Sequence, residues 1–241
     1  MKTVSYKSLR DGVIRRMGLD ASLTPLDSQS AAIAEYLQSA LEAGWDFYPW
    51  PDITLTEQRT PTGTPATTIS ATQPGETVIG EFLQILSENP DDDTVIPMSY
   101  DFHATGTEAV IDTAKYSAGE PVWVRFRIPI PQFSSTEYSA STAYAPGDVV
   151  YHPASGDCYL CTAASTGNAP TNSSFWRKQE VPDYLGEYAK LYALAETLQE
   201  DGQYDKAAYQ FTRSRGILED KQDDFWMKRD RYHHYTARFA H

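Results

Sequence analysis

The class of fold is most clearly indicated by residues 181–225, which read VPDYLGEYAKLYALAETLQEDGQYDKAAYQFTRSRGILEDKQDDF. The first half of this stretch repeats apolar side chains at the three- and four-residue spacing of one helical face: Leu185, Tyr188, Tyr192, Ala195 and Leu198. Asp201–Gly202 interrupts this pattern. A second apolar face follows: Ala208, Phe211, Leu218 and Phe225. The stretch therefore predicts helices over residues 183–200 and 204–231, joined as an αα-hairpin.

Two further helices are predicted near the N-terminus, over residues 5–17 and 29–46. Each has one apolar face: Tyr6, Leu9, Val13 and Met17 in the first, and Ile33, Tyr36, Leu37, Ala40 and Leu41 in the second. Ser5 is a candidate N-cap, and Gly18 is a candidate stop signal. Together with the C-terminal pair, these helices predict a helical bundle.

Residues 52–133 change to the period of a β-sheet. Apolar residues alternate there with larger polar or aromatic ones: Val122, Val124, Phe126 and Ile128 against Trp123, Arg125 and Arg127. This region predicts a small antiparallel sheet.

Residues 137–178 are rich in Ser, Thr, Ala and Tyr, and no charge lies between Cys158 and Trp176. Short strands with Gly and Pro turns predict a small all-β module inserted into the host domain. The predicted fold class is α+β. The host domain comprises residues 1–136 and 179–241, and it contains the helical bundle and the small antiparallel sheet.

Charge is distributed unevenly. The chain has 33 acidic and 20 basic residues, a net charge of -13. From Asp20 to Val110 there are 15 acidic residues and one basic residue, Arg59, whereas both ends of the chain are basic. Two interpretations stay open: a solvated surface, or a subunit that repels nucleic acid with one face and docks an acidic partner with its tail.

No catalytic motif is present. The chain lacks Gly-x-Ser-x-Gly and both glycine-rich phosphate-binding patterns. His103 is interpreted as a surface or core histidine, and His233–His234 as part of a polar docking strip. No apolar run is long enough to predict a membrane span or a secretory signal. We therefore expect no enzyme activity, no cofactor and no membrane partner.

Two features could suggest a metal. Asp91–Asp93 could attract a divalent cation, but it lacks the spaced ligands of a calcium loop. Cys158 and Cys161 have Cys-x-x-Cys spacing, but only His152 lies nearby as a third ligand. We expect a solvated turn and two buried free thiols on opposite faces of a strand, and no metal site.

The C-terminal segment, residues 226–241, is dense in the residue types that anchor protein interfaces. They are Trp226, Arg229, Arg231, Tyr232, Tyr235, Arg238 and Phe239. We expect this segment to dock a partner protein.

The order of several motifs resembles the adaptor (head-completion) proteins of tailed-phage head–tail connectors. The motifs are the aromatic run up to Pro51 that contains Trp45 and Trp50, then Gly75–Gly80, Asn89–Pro90, Val122–Arg127 with Pro129 and Pro131, Val181–Leu185, Asp201–Gln203 and Lys206–Ala207. This resemblance implies a structural virion protein of the phage neck, assembled in the host cytoplasm. It implies a homo-oligomeric ring, most often of twelve copies, between the portal protein and the tail or stopper protein. DNA would pass through the ring without sequence-specific binding, and the C-terminal segment would dock on the portal.

The inserted segment resembles a small chitin-binding-type carbohydrate module. Ala143–Val150, Tyr159, Thr166–Pro170 and Trp176 carry this resemblance. It implies possible glycan-binding residues at Tyr144, Tyr151, Tyr159 and Trp176, and an alternative function as a sugar-binding attachment or decoration protein of the virion. Residues 160–165 contain no tryptophan, where such modules often expose one. A second interpretation therefore places Tyr144, Tyr159 and Trp176 in a small core of the module.

Overall fold

The computed structural model describes residues 2–20, 27–72, 76–90 and 96–236, and for residues 27–30 and 228–236 the backbone alone. Over this part of the chain the fold is mixed α+β, with four helices and several small antiparallel sheets. The helices are α1 (Tyr6–Arg16), α2 (Asp27–Phe47), α3 (Asp183–Glu200) and α4 (Tyr204–Thr236). None of them, over the described residues, is long and apolar enough to cross a membrane.

The strands are short. In chain order they are β1 (Thr3–Ser5), β2 (Thr54–Arg59), β3 (Thr68–Ser70), β4 (Glu81–Leu86), β5 (Ser99–Tyr100), β6 (Phe102–Ala104), β7 (Glu108–Ile111), β8 (Val122–Arg127), β9 (Ala143–Tyr144), β10 (Val149–His152), β11 (Asp157–Cys161), β12 (Ser165–Thr166), β13 (Trp176–Lys178) and β14 (Glu180–Pro182).

Residue contacts divide the chain into two compact units. Unit 1 comprises Met1–Tyr48 and Pro131–His241, and unit 2 comprises Pro49–Ile130. Unit 1 contains the four helices together with the segment predicted as an insert, residues 137–178. Unit 2 contains β2 to β8.

The helix ends follow local signals in the sequence. α4 continues to Thr236, past the predicted end at residue 231, because no glycine or proline occurs between residues 217 and 236. Gly18 follows α1 with a positive φ of 80°, which is typical of a helix stop. Ser5 is at the N-cap of α1, but its side chain makes no capping hydrogen bond.

Helix α3 is the centre of unit 1. It packs against α1, α2 and α4, so its buried residues occupy nearly its whole circumference rather than one stripe. Beyond the predicted stripe they include Ala189, Leu191, Ala193 and Leu194. Burial around most of a helix is typical of one that lies in the interior of a protein.

Two glycines permit the close approach of these helices. A Cβ atom added to Gly186 of α3 would lie 2.4 Å from Val4 Cγ2 and 2.9 Å from Leu9 Cδ2. A Cβ atom added to Gly44 of α2 would lie 2.9 Å from Tyr188 Cε1. Both distances are shorter than any ordinary carbon contact, so an added Cβ atom would force the neighbouring side chains to shift.

Unit 2 is built from two sheets with the orders β2-β8-β4-β5 and β3-β7-β6. A single apolar cluster contains residues of both sheets, among them Ile69, Ile85, Ile111 and Val124. The alternation predicted for β8 is confirmed: Val122, Val124 and Phe126 are buried, and the residues between them are more exposed.

The single basic residue of the acidic region, Arg59, is buried in unit 2. Its guanidinium pairs with Glu76, lies 2.8 Å from Glu57 Oε2 and donates to Thr77 O at 2.7 Å. It also lies 5.5 Å from the centre of the Phe126 ring. A buried charge needs such partners, because removal from water is costly.

Replacing Gly186 with alanine should lower the free energy of unfolding by about 1–3 kcal/mol, because the added methyl group meets Val4 and Leu9 in a packed interior. Gly216→Ala is the matched control. Nothing lies within 4 Å of a Cβ atom added there, so we expect no loss, or a gain of up to about 1 kcal/mol from helix propensity. Urea denaturation followed by circular dichroism measures the free energy of unfolding of both variants. Equal changes in the two would contradict the close packing at Gly186.

Replacing Arg59 with alanine should lower the free energy of unfolding by about 3 kcal/mol, because it leaves two carboxylates without their partner. The control is Arg125→Ala on the neighbouring strand β8. Arg125 is exposed, so the expected change is within about 0.5 kcal/mol. Urea denaturation measures the stability of both variants. Equal stability of the two would contradict the structural role of Arg59.

Candidate functional site

The predicted docking residues begin where α4 leaves α3. Near the start of α3, the Tyr184 ring lies 6.3 Å from the Phe225 ring of α4. The Lys221 ammonium lies 5.2 Å and 5.0 Å from the centres of these two rings. The helical backbone then continues to Thr236, a further length of about 16 Å at 1.5 Å per residue.

Trp226 and Met227 are the first residues of this continuation. They are 42% and 54% exposed, which is high for side chains of this size and polarity. Arg229, Arg231, Tyr232 and Tyr235 lie on the helical backbone that follows. Arg238 and Phe239 lie outside the described residues.

The charge of α4 changes sign along the helix. Glu219, Asp220, Asp223 and Asp224 are all exposed just before Trp226. In sequence, the residues after Met227 are mainly basic, beginning with Lys228 and Arg229. Trp226 and Met227 therefore lie at the boundary between an acidic and a basic stretch.

A second acidic surface lies on α2 in unit 1. Glu35 and Glu42 are exposed two turns apart on this helix. Between them, Gln38 donates to Glu42 Oε1 at 3.0 Å and accepts the Phe133 backbone N–H at 3.0 Å. These residues and Ser134 line a shallow open groove.

The aromatic residues of the inserted module form a small core. Tyr144, Tyr159 and Trp176 are buried together with Val150 and Cys161, which confirms the second interpretation given above. Trp176 is only 2% exposed. Its indole N–H donates to Asn168 O at 3.0 Å. A sugar ring stacks on an exposed aromatic face, and these three rings present none.

Tyr138, which the sequence analysis did not single out, covers part of this core. Its ring stacks on Tyr144 with centroids 5.7 Å apart and planes at 24°. It also lies edge-on to Trp176 at 6.0 Å. The chain's own aromatic ring thus occupies a face of Tyr144 that a sugar would need. The only feature of the sequence that could have indicated this role is the position of Tyr138 just before the first strand of the module.

Tyr151, the fourth possible glycan-binding residue, contacts α1 instead of the module core. Its hydroxyl accepts a hydrogen bond from Arg10 Nη1 at 2.6 Å. Its ring lies edge-on to the Tyr6 ring at 6.0 Å. This side chain therefore joins the module to a helix more than a hundred residues away in sequence.

The two cysteines are free and buried, as expected from the sequence. Cys158 donates to Ser134 O at 3.4 Å, and Cys161 to Ala163 O at 3.1 Å. Cys161 belongs to the module core and Cys158 does not, consistent with opposite faces of β11. Burial raises the pKa of Cys158 to about 12, and burial also raises the pKa of Cys161.

Metal-binding geometry is not found in the described ranges, where no three His, Cys, Asp or Glu side chains are grouped to hold an ion. His152 Nδ1 lies 3.1 Å from Ser155 Oγ. Asp91–Asp93 lies outside the described residues.

No protein-family model matches the chain, and no curated protein matches it.

The cysteines provide a test of the module's packing. A thiol reacts with iodoacetamide as the thiolate, and a pKa of about 12 keeps Cys158 protonated at pH 8. We expect negligible alkylation of either cysteine in the folded protein at pH 8, and complete alkylation of both after unfolding in urea. Mass spectrometry measures both states; rapid labelling of folded Cys158 would contradict its burial.

Proposed function

We propose that this chain is a structural adaptor protein of a phage neck. It assembles as a homo-oligomeric ring, most simply of twelve copies, that joins the portal protein to the tail or stopper protein and surrounds the DNA channel. In this proposal the protein is not an enzyme, and it belongs to the virion after assembly in the host cytoplasm. The observation that carries the proposal is the continuation of α4 past α3, with Trp226 and Met227 exposed.

The helices support this proposal by their contacts. α3 packs against α4, and Tyr192 and Tyr184 contact Phe211 and Phe225 respectively, with centroids 5.1 Å and 6.3 Å apart. The linking turn contains Gly202 at a positive φ of 73°. These contacts fit a bundle in which α3 and α4 form an αα-hairpin. A rigid hairpin would carry the C-terminal segment at a fixed angle toward its partner.

The chemistry of the C-terminal segment suits a protein partner with an acidic docking surface. Tryptophan and tyrosine rings bury large areas at little cost in conformational entropy. Arginine binds carboxylates through two parallel hydrogen bonds. The portal protein is the partner that we propose for this segment.

The acidic surfaces suit a protein that lies beside DNA without binding it. Like charges repel, so exposed carboxylates keep a phosphate backbone from adhering as it passes. Glu35 and Glu42 on α2 are candidates for the surface that faces the channel. A channel lined by lysine and arginine would contradict this assignment.

The location of the protein can be tested directly. Mass spectrometry of intact virions should detect the chain, and electron microscopy of the neck should place it between portal and tail. Its absence from purified particles would disprove the proposed function.

Deletion of residues 226–241 should leave a folded protein that no longer binds the portal. We expect the fold to persist because the ring contact between α3 and α4 at Tyr184 and Phe225 is retained. Trp226→Ala should weaken binding at least tenfold if this ring is an interface anchor. Tyr209→Ala is the matched control, since Tyr209 is an exposed ring near the other end of α4. Binding is measured by sedimentation of the purified protein with portal rings; unaltered binding after the deletion would rule out docking through this segment.

The alternative function, sugar binding by residues 137–178, lacks an exposed ring at its predicted positions. Tyr144, Tyr159 and Trp176 are buried, and Tyr151 contacts Arg10. We therefore expect no retention of the wild-type protein on chitin and no signal on a glycan array. Specific retention that a soluble oligosaccharide displaces would restore the alternative.

A further inference from the structure

The N-terminus of α1 lacks a cap from its own neighbours. The first backbone N–H groups of any helix have no partner within the helix, and a side chain usually accepts from them. Here the Ser5 side chain makes no capping bond, and the first turn contains no acidic residue. A helix of 11 residues without an N-cap hydrogen bond from its own neighbours is only marginally stable by itself.

The missing acceptor comes from the inserted module. The Lys7 backbone N–H, in the first turn of α1, donates to Asp157 Oδ1 at 2.9 Å. Asp157 is only 5% exposed, and its other oxygen lies 2.9 Å from Lys178 Nζ. Since a carboxylate at a helix N-terminus also interacts favourably with the helix dipole, Asp157 performs both tasks of an N-cap from 150 residues away.

Further contacts hold the module against the same helix. Arg10 donates to the Tyr151 hydroxyl, and the Tyr6 ring packs on Tyr151. Gly156, at a positive φ of 75°, lets β11 approach the Lys7 side chain, because an added Cβ atom would lie 3.1 Å from Lys7 Cδ. The contact surface therefore includes the first two turns of α1.

The ends of the module are tied together beside α1. The Gln132 backbone N–H donates to Gln179 Oε1 at 3.2 Å. Directly after the module, β14 pairs antiparallel with β1, the strand that leads into α1. The Asp183 backbone N–H then donates to Lys2 O at 3.0 Å. These bonds fix the module on α1 at its ends as well as through Asp157.

We propose that residues 137–178 act as an internal brace that completes the N-terminus of α1 and holds this helix on α3. The insert thereby has a role inside its own subunit. This role goes beyond the proposed function and does not depend on a ring, a portal or a sugar ligand.

Hydrogen–deuterium exchange of the full-length protein tests the brace. Asp157→Ala should raise the exchange rate of α1 amides about five- to tenfold, because loss of an N-cap favours local opening to that extent. The interior of α3 should keep its protection. Asp148→Ala is the matched control, because Asp148 Oδ2 also accepts a backbone N–H in the module, from Ala145 at 2.7 Å, but it caps a turn remote from α1. We expect this control to leave α1 exchange unchanged.

A second substitution separates capping from general damage to the module. Ser5→Asp introduced into the Asp157→Ala variant places a carboxylate at the N-cap itself, so it should return α1 exchange to within about twofold of the wild-type rate. The proposal is overturned if Asp157→Ala leaves α1 protected, if it raises exchange equally in α1 and α3, or if Ser5→Asp restores nothing.

Discussion

The burial of α3 on nearly all of its faces is the constraint on which unit 1 depends. A helix whose buried residues lie around most of its circumference must be covered on several sides, and one neighbouring helix can cover only one stripe of it. The covering elements come from both ends of the chain: α1 and α2 precede unit 2, and α4 follows α3. Gly186 and Gly44 allow this packing, because a Cβ atom at either position would displace the side chains packed against it.

Buried and exposed charged residues have different roles in this protein. In unit 2, Arg59 is enclosed with carboxylates and a carbonyl oxygen as partners, so the one basic residue of the acidic region has a structural task. In unit 1, Glu35 and Glu42 on α2 are exposed, and so are the four carboxylates of α4 that shortly precede Trp226. These exposed carboxylates suit the proposed position beside DNA.

Aromatic residues have two distinct tasks in the inserted segment. Tyr144, Tyr159 and Trp176 stabilise the module itself, which at about 40 residues could scarcely bury a core otherwise. Tyr151 follows the core residue Val150 on β10 and therefore lies on the opposite face of that strand, where it contacts α1. Because Tyr144, Tyr159 and Trp176 are used for packing, these three rings form no exposed platform for a sugar.

Local patterns in the sequence are sufficient to predict some of the elements. Helical periodicity located α3 between residues 183 and 200, and strict alternation identified β8 and its buried face, because each residue's environment repeats with the period of its own backbone. The same alternation predicted that Cys158 and Cys161 lie on opposite faces of their strand. Tertiary contacts place neighbours around most of α3 and bury Arg59. They also stack Tyr138 on Tyr144 and bring Asp157 to the N-terminus of α1. Some of these features depend on contacts between residues that are separated by up to 150 positions. Others depend on which of several chemically equivalent side chains lies nearest. No periodicity along the chain encodes either.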